Sequence, residues 1–229
     1  MSKISALIAV RSGSVRVKNK NIRDFNNSTL LELKIQQLQT IEKIDEIIVN
    51  SNSEEMLSIA KSVGAIPIKR DDYFASNTVS MSEVFKDMAK HIDAEYILYA
   101  NCTNPLVKTV SYVNAIDMFF KNLNQYDSLV SCHDVKEFLY LDGKPINYDP
   151  AQQPRSQDLP NVIALNFAIS IISKSNMIDC KNIIGSNPYF YKLDEVESVD
   201  IDTPLDFFIA ERLYSHINID QQEVVGQYT

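Results

Sequence analysis

The chain has 229 residues, 45% hydrophobic and 23% charged, with a formal charge of −8. This fits one folded α/β domain spanning residues 1–229 with a small excursion. No apolar run reaches the ~18–20 residues of a membrane span, and the acidic balance speaks against nucleic-acid or anionic-membrane partners. Three widely spaced cysteines, Cys102, Cys132 and Cys180, argue against a disulfide framework or a zinc site and for a reducing compartment, the cytoplasm.

Ile4–Val10 is a continuous apolar run, the pattern of a strand covered on both faces of a parallel sheet. With Arg11 directly behind it, a buried strand explains it better than a signal peptide. Arg11–Asn27 is polar and reads as a loop. A helix follows through Leu30, Leu31, Leu33, Ile35, Leu38 and Ile41, with Ser28 or Thr29 as N-cap. Glu46–Ser51 is a strand, and Ser53–Val63 a helix with Asn52 and Glu55 as its cap pair and Gly64 as terminator. Ala65–Lys69 and Tyr96–Ala100 are strands, Ser80–His91 and Val110–Leu123 helices, and Leu129–Ser131 a further strand. This alternation predicts a Rossmann-like three-layer α/β/α sandwich with a mostly parallel, mixed sheet.

The rhythm is expected to break after Cys132. Asp142-Gly143 marks a hairpin within Phe138–Tyr148, Ala151–Pro160 is loop-like, and Val162–Ile172 is strand-like. Residues 133–165 therefore form a β excursion suited to packing on another subunit. Glu197–Ile201 is expected as a strand. The last helix opens with Thr203 as N-cap, Pro204 at its first position and Asp206 in its first turn. The final ten residues are polar and expected to fray.

Charge is unevenly placed. Lys3, Arg11, Arg16, Lys18, Lys20 and Arg23 fall within residues 1–23, which hold no acid. The rest of the chain keeps 16 of the 22 basic residues and all 30 acidic ones. A cationic loop after the first strand sits where open α/β sheets collect ligands. Gly13 lets the backbone approach a ligand, the small Ser12 and Ser14 leave amides accessible, and Arg11, Arg16, Lys18 and Lys20 offer charged donors to a triphosphate. Neither a Walker A loop nor a dinucleotide fingerprint is present.

Ala9-Val10-Arg11-Ser12-Gly13-Ser14-Val15-Arg16-Val17-Lys18-Asn19-Lys20-Asn21 resembles the Pro-Ala-Arg-Gly-Gly-Ser-Lys-x-Ile-Pro-x-Lys-Asn stretch of the CMP-sialic acid synthetase and CMP-Kdo synthetase family. The resemblance implies that residues 9–14 and Asn21 bind CTP. It implies that Arg11, Arg16 and Lys20 act on its phosphates, Arg16 supplying the charge lost where Val15 replaces a lysine. Arg70 and Asn77, in Lys69-Arg70-Asp71 to Ala75-Ser76-Asn77-Thr78, match a nucleotide-reaching segment, with Asn77 where Asp is usual. Asn101, Thr103 and Asn104, in Asn101-Cys102-Thr103-Asn104-Pro105-Leu106, match the strand end beside the acceptor. Arg155 and Gln157, then Asn166, Phe167 and Ala168, match Arg-Gln-x-Leu-Pro and Asn-Gly-Ala-Ile, with Phe167 replacing the glycine.

Val199-Asp200-Ile201-Asp202-Thr203-Pro204 resembles the family's Ile-Asp-Ile-Asp-Thr-Pro. Asp200 and Asp202, two apart on a strand, would share a face and hold Mg²⁺ with phosphate oxygens, and Asp202 joins the catalytic set. The implied reaction transfers CMP from CTP to an anionic acceptor, a sialic-type 2-keto sugar acid or Kdo, with release of pyrophosphate. The resemblance also implies a homodimer, with Arg155 reaching the partner's acceptor site. A phosphate or phosphonate acceptor, a nucleotide-sugar glycosyltransferase and an inert nucleotide-binding homologue remain as alternatives.

Overall fold

A computed structural model describes residues 3–226, and the side chains of residues 3–217. β1 (Ile4–Ala9) leads through the cationic loop to a short hairpin, β2 (Asp24–Phe25) and β3 (Ser28–Thr29), and then to α1 (Leu30–Gln39). β4 (Glu46–Ser51), α2 (Glu54–Ser62), β5 (Ile66–Lys69), the single turn α3 (Asp72–Ala75) and α4 (Met81–Lys90) follow. Next come β6 (Tyr96–Ala100), α5 (Thr109–Lys121), β7 (Ser128–Val135) and a hairpin of β8 (Tyr140–Leu141) and β9 (Lys144–Pro145). β10 (Val162–Ser173), α6 (Lys174–Cys180), β11 (Pro188–Lys192) and α7 (Pro204–Gly226) complete the described chain.

Seven strands form one sheet in the order β11-β7-β10-β6-β1-β4-β5. Neighbours are parallel except where β10 runs antiparallel to both β6 and β7. Ile4, Ala6 and Ile8 pack in one apolar layer with α1, α2, α5 and α7, while Leu7 packs in the other with α4 and α6. Cover on both faces is why the first strand is apolar except for Ser5, whose buried hydroxyl donates to Glu46 Oε1. The predicted three-layer sandwich is the observed one.

Local chemistry sets the boundaries. Thr29 caps α1 by accepting from the Glu32 amide, 3.1 Å. The cap of α2 is Ser53, which accepts from Met56, and not the predicted Asn52. At the start of α7, Asp206 Oδ2 accepts from the Asp202 and Thr203 amides while Thr203 Oγ1 accepts from Asp206, a reciprocal box. Asp142 and Gly143 take φ of 49° and 76°, as a two-residue hairpin turn requires. α7 runs to Gly226, so of the ten terminal residues expected to fray the last three lie outside the described residues.

Three expectations are corrected. β7 does not stop at Ser131 but continues to Val135, because β10 supplies a partner along its length. Glu197–Ile201 is not a strand: β11 takes the sheet edge beside β7, and the 194–201 segment folds back on itself through Ser198 N to Asp194 O, 3.0 Å. The buried Glu197 carboxylate holds it there by accepting from Lys108 N, 2.8 Å, and Ser111 Oγ, 2.6 Å, at the start of α5. Arg11–Asn27 is not a loop throughout, because Asp24–Phe25 pairs with Ser28–Thr29 as the β2–β3 hairpin. α3, α6 and β11 were not predicted either. The two helices are too short to show periodicity, and β11 opens on a proline, which only an edge strand or strand start tolerates.

Candidate active site

The chain leaves β1 toward β4 on one side and returns to β6 on the other. The two connections diverge above the carboxyl ends of β1 and β6, which is where such sheets bind ligands. A cleft of about 370 Å³ opens there. Its walls are the cationic loop, through Ala9, Val10, Arg11, Gly13, Ser14, Arg16, Lys20 and Asn21, and the end of β6, through Asn101, Cys102 and Thr103. Asp202 closes it. Gly13 has φ +85°, and a Cβ there would meet nothing within 4 Å, so its backbone faces open space.

Arg16 and Lys20 converge on one carboxylate. Arg16 Nη2 lies 3.1 Å and Lys20 Nζ 3.6 Å from Asp202 Oδ1, and Lys20 also donates to the Ile201 carbonyl. The Arg16–Asp202 pair is exposed, 66% and 48% at its side chains, and contributes at most ~1 kcal/mol. Its cation is therefore available to an incoming anion. Arg11 donates to the carbonyl of Ala75, 2.8 Å, joining the loop to the α3 turn. Asn21 lines the cleft, and its Oδ1 is buried without a partner. Such an atom costs stability unless a ligand satisfies it.

Asp200 is outside the cleft lining but within electrostatic reach of Asp202. Burial pushes its carboxyl above the usual range, against a hydrogen bond from Thr103, and the Asp202 charge adds to the rise. Its Oδ1 is buried without a partner. Among the described residues no group of three or more carboxylate, imidazole or thiol side chains could hold a metal. Asp200 and Asp202 were expected to share a strand face, but neither lies on a strand, and only Asp202 lines the cleft.

Several predicted site residues hold other posts. The Ser12 amide is not free but donates to Asn52 Oδ1, 3.1 Å. Arg70 is buried and bound to Asn50, Nε to Oδ1 at 2.5 Å and Nη2 to the carbonyl at 2.9 Å; burial lowers its pKa. It braces the ends of β4 and β5 and does not line the cleft, and Asn77 is exposed away from the lining. Asn104 is fully buried and donates to Val199 O, 3.2 Å, so it is a brace and not an acceptor contact. Asn166 accepts from Ser131 Oγ and donates to Ser198 Oγ, tying β7 and β10 to the 194–201 segment. Ala168 is fully buried. Phe167 holds φ 52° at the register shift of β10, a conformation unfavourable for a bulky residue. Arg155 is exposed and pairs with Asp158, 2.7 Å, and the exposed Gln157 shares that turn; neither lines this chain's cleft.

Sequence reasoning missed Cys102 and Asn52. Both follow the carboxyl end of a strand, and that position was the available signal. Burial pushes the Cys102 thiol up to about 12, so it is an inert part of the wall.

A family model described as cytidylyltransferase matches residues 5–157, which span the cationic loop and both cleft walls. The chain belongs to the cytidylyltransferase family. It is accordingly a CTP-dependent nucleotidyltransferase. It is 26% identical to post-translational flagellin modification protein B of Campylobacter coli, over 97% of this chain and 100% of that one. It is 25% identical to CMP-N,N'-diacetyllegionaminic acid synthase of Campylobacter jejuni, over 97% and 100%. Among solved structures, a CMP:2-keto-3-deoxy-manno-octonic acid synthetase complexed with CTP superposes with TM-score 0.70 at 12% identity, covering 94% of this cytidylyltransferase and 99% of that chain. That likeness supports the fold.

Proposed function

We propose that this cytidylyltransferase transfers CMP from CTP to a 2-keto sugar acid of the sialic, legionaminic or pseudaminic type, or to Kdo. The observation that carries the reading is the convergence of Arg11, Arg16, Lys20, Asn21 and Asp202 on one cleft at the switch point of the sheet. Arg11, Arg16 and Lys20 neutralise the triphosphate and stabilise charge gathering on departing pyrophosphate. Asn21 offers its unpaired Oδ1 to the nucleoside. Asn101 and Thr103 face the loop from β6 and orient the acceptor hydroxyl for in-line attack on the α-phosphorus. The curated relatives named for N,N'-diacetyllegionaminic, pseudaminic and N-acylneuraminic acids support a keto-acid acceptor. Measuring pyrophosphate release from CTP across a panel of these acids, Kdo and simple phosphonates tests it; turnover only with the phosphonates would replace the acceptor assignment.

Asp200 and Asp202 fit Mg²⁺: hard oxygen donors, one of them buried and unpaired, beside a cleft that takes phosphates. Bound there, the ion would add Lewis-acid polarisation of phosphate oxygens. The exposed Tyr140, Leu141 and Ile146 of the β8–β9 hairpin support a homodimer in which Arg155 serves a neighbouring site. Light scattering would test the dimer. Three free cysteines support a cytoplasmic location.

CTP is expected to bind better than ATP, GTP or UTP, because Asn21 sits in the cleft with hydrogen-bonding capacity unspent. Calorimetry with the four triphosphates checks this, and equal affinity for ATP and CTP would remove Asn21 from base recognition.

A further inference from the structure

Lys34, on α1, is 2% exposed and no residue of the cleft wall, yet it reaches that wall from behind. Its Nζ donates to Tyr112 Oη on α5 at 2.8 Å, to Gln37 Oε1 at 2.9 Å and to the Asn104 carbonyl at 3.1 Å. Below pH 7 three acceptors match the three protons of the ammonium, and above it the neutral amine keeps two donors and can accept from Tyr112 Oη. Gln37 extends the grip with Nε2 donating to the Val107 carbonyl. The loop held this way, residues 101–107, presents Asn101, Cys102 and Thr103 to the cleft. It is joined to the carboxylate segment by Asn104 Nδ2 to Val199 O, 3.2 Å, and by Ile201 N to Thr103 O, 2.9 Å. One buried amine thus fixes the spacing between α1, the β6 wall and Asp200–Asp202.

We infer that Lys34 is a positioning residue, a buried three-way clamp that holds the 101–107 loop at the distance from the cationic loop that nucleotide binding requires. An apolar side chain would fill the same space without the cost of removing a charge from water. What only the amine supplies is a set of directed bonds to three separate pieces of chain. Burial lowers its pKa to about 7. The titratable groups facing it, Cys102 and Tyr112, are themselves pushed up by burial and stay neutral. A folded pKa below the ordinary 10.5 means that the unfolded chain holds the proton more tightly. Lys34 therefore lowers stability most below pH 7, and stability rises as pH climbs from about 7 toward 10.5.

The inference rests on CTP as the ligand of the cleft, so the test includes a readout that needs no nucleotide. Parent and Lys34→Met would be compared by iodoacetamide labelling of Cys102, followed by peptide mass, and by CTP calorimetry, both at a temperature where circular dichroism shows folded protein. Released from the clamp, the loop is expected to expose Cys102 to labelling at least fivefold faster and to bind CTP about tenfold more weakly. The parent's melting temperature should also gain on the variant's between pH 7 and pH 10. A folded Lys34→Met that labels and binds like the parent overturns the clamp, and a residue that merely filled space would give that result. If Lys34→Met does not fold, Tyr112→Phe carries the test, since it removes one acceptor oxygen and keeps the ring. Cys102 labelling about threefold faster supports the clamp, and unchanged labelling overturns it. A parent that fails to bind CTP is a failure of the ligand assignment, and Cys102 labelling still decides the clamp.

Discussion

Asp202→Asn is expected to lower pyrophosphate release by roughly 10²-fold or more while leaving the melting temperature within a few degrees of the parent. The carboxylate is where Arg16 and Lys20 meet, so its charge orders both cations as well as offering a metal ligand. The backbone there is held independently, because the Asp202 amide is bound by Asp206. Asp200→Asn separates the two roles further. Its raised pKa means that ionised Asp200 costs stability at neutral pH, with stability recovered as pH falls through the raised value toward the ordinary 3.8. The amide variant should therefore melt at or above the parent temperature at pH 7, yet turn over slowly. Steady-state assays at saturating Mg²⁺ with melting curves on both variants read these outcomes. Near-normal turnover in both would leave the carboxylate pair without a catalytic role.

The fold was legible wherever burial on two faces wrote itself as an apolar run. Ile4–Ala9, Glu46–Ser51 and Tyr96–Ala100 stand where expected because both sides of the sheet are covered. Thr203, Pro204 and Asp206 announced α7 because an N-terminus needs those groups in that order. Glu197–Ile201 misled for the opposite reason. Its apolar Val199 and Ile201 pack against the core, but the segment's geometry is decided by side chains, Glu197 above all, that look like surface residues in sequence.

The site divides the same way. Residues adjoining the end of β1 or β6 reached the cleft because strand position alone put them there. Arg70, Asn104 and Asn166 did not, and sequence could not say so. A polar side chain just past a strand faces either a ligand or the neighbouring chain, and only the tertiary partner decides: Asn50 for Arg70, Val199 for Asn104, Ser131 and Ser198 for Asn166. Lys34 was equally hidden, since it sits among the apolar positions of an amphipathic helix and reads there as a solvated lysine.

Arg16→Ala is expected to weaken CTP binding by roughly 1.5–3 kcal/mol, the loss of a charged hydrogen bond. Arg16 stands beside Val15, which is 89% exposed and has no charge to offer, so the guanidinium is the cation at this turn of the loop. Leaving Asp202 costs it little, because that pair is exposed and weak. Arg11→Ala should cost a similar amount, since Arg11 surrenders only a neutral carbonyl at Ala75. Lys20→Ala should do at least as much damage: its side chain is 15% exposed and anchors the Ile201 carbonyl as well as facing the cleft. Lys18, exposed and outside the cleft lining, should matter least. CMP binding should suffer less than CTP binding in the three sensitive variants if their partners are the β- and γ-phosphates. A basic patch acting only through its general field predicts small, equal losses for all four, erased by salt. Calorimetry at two ionic strengths separates the cases, and a uniform, salt-erased effect would reduce the loop from a phosphate cradle to a source of attraction.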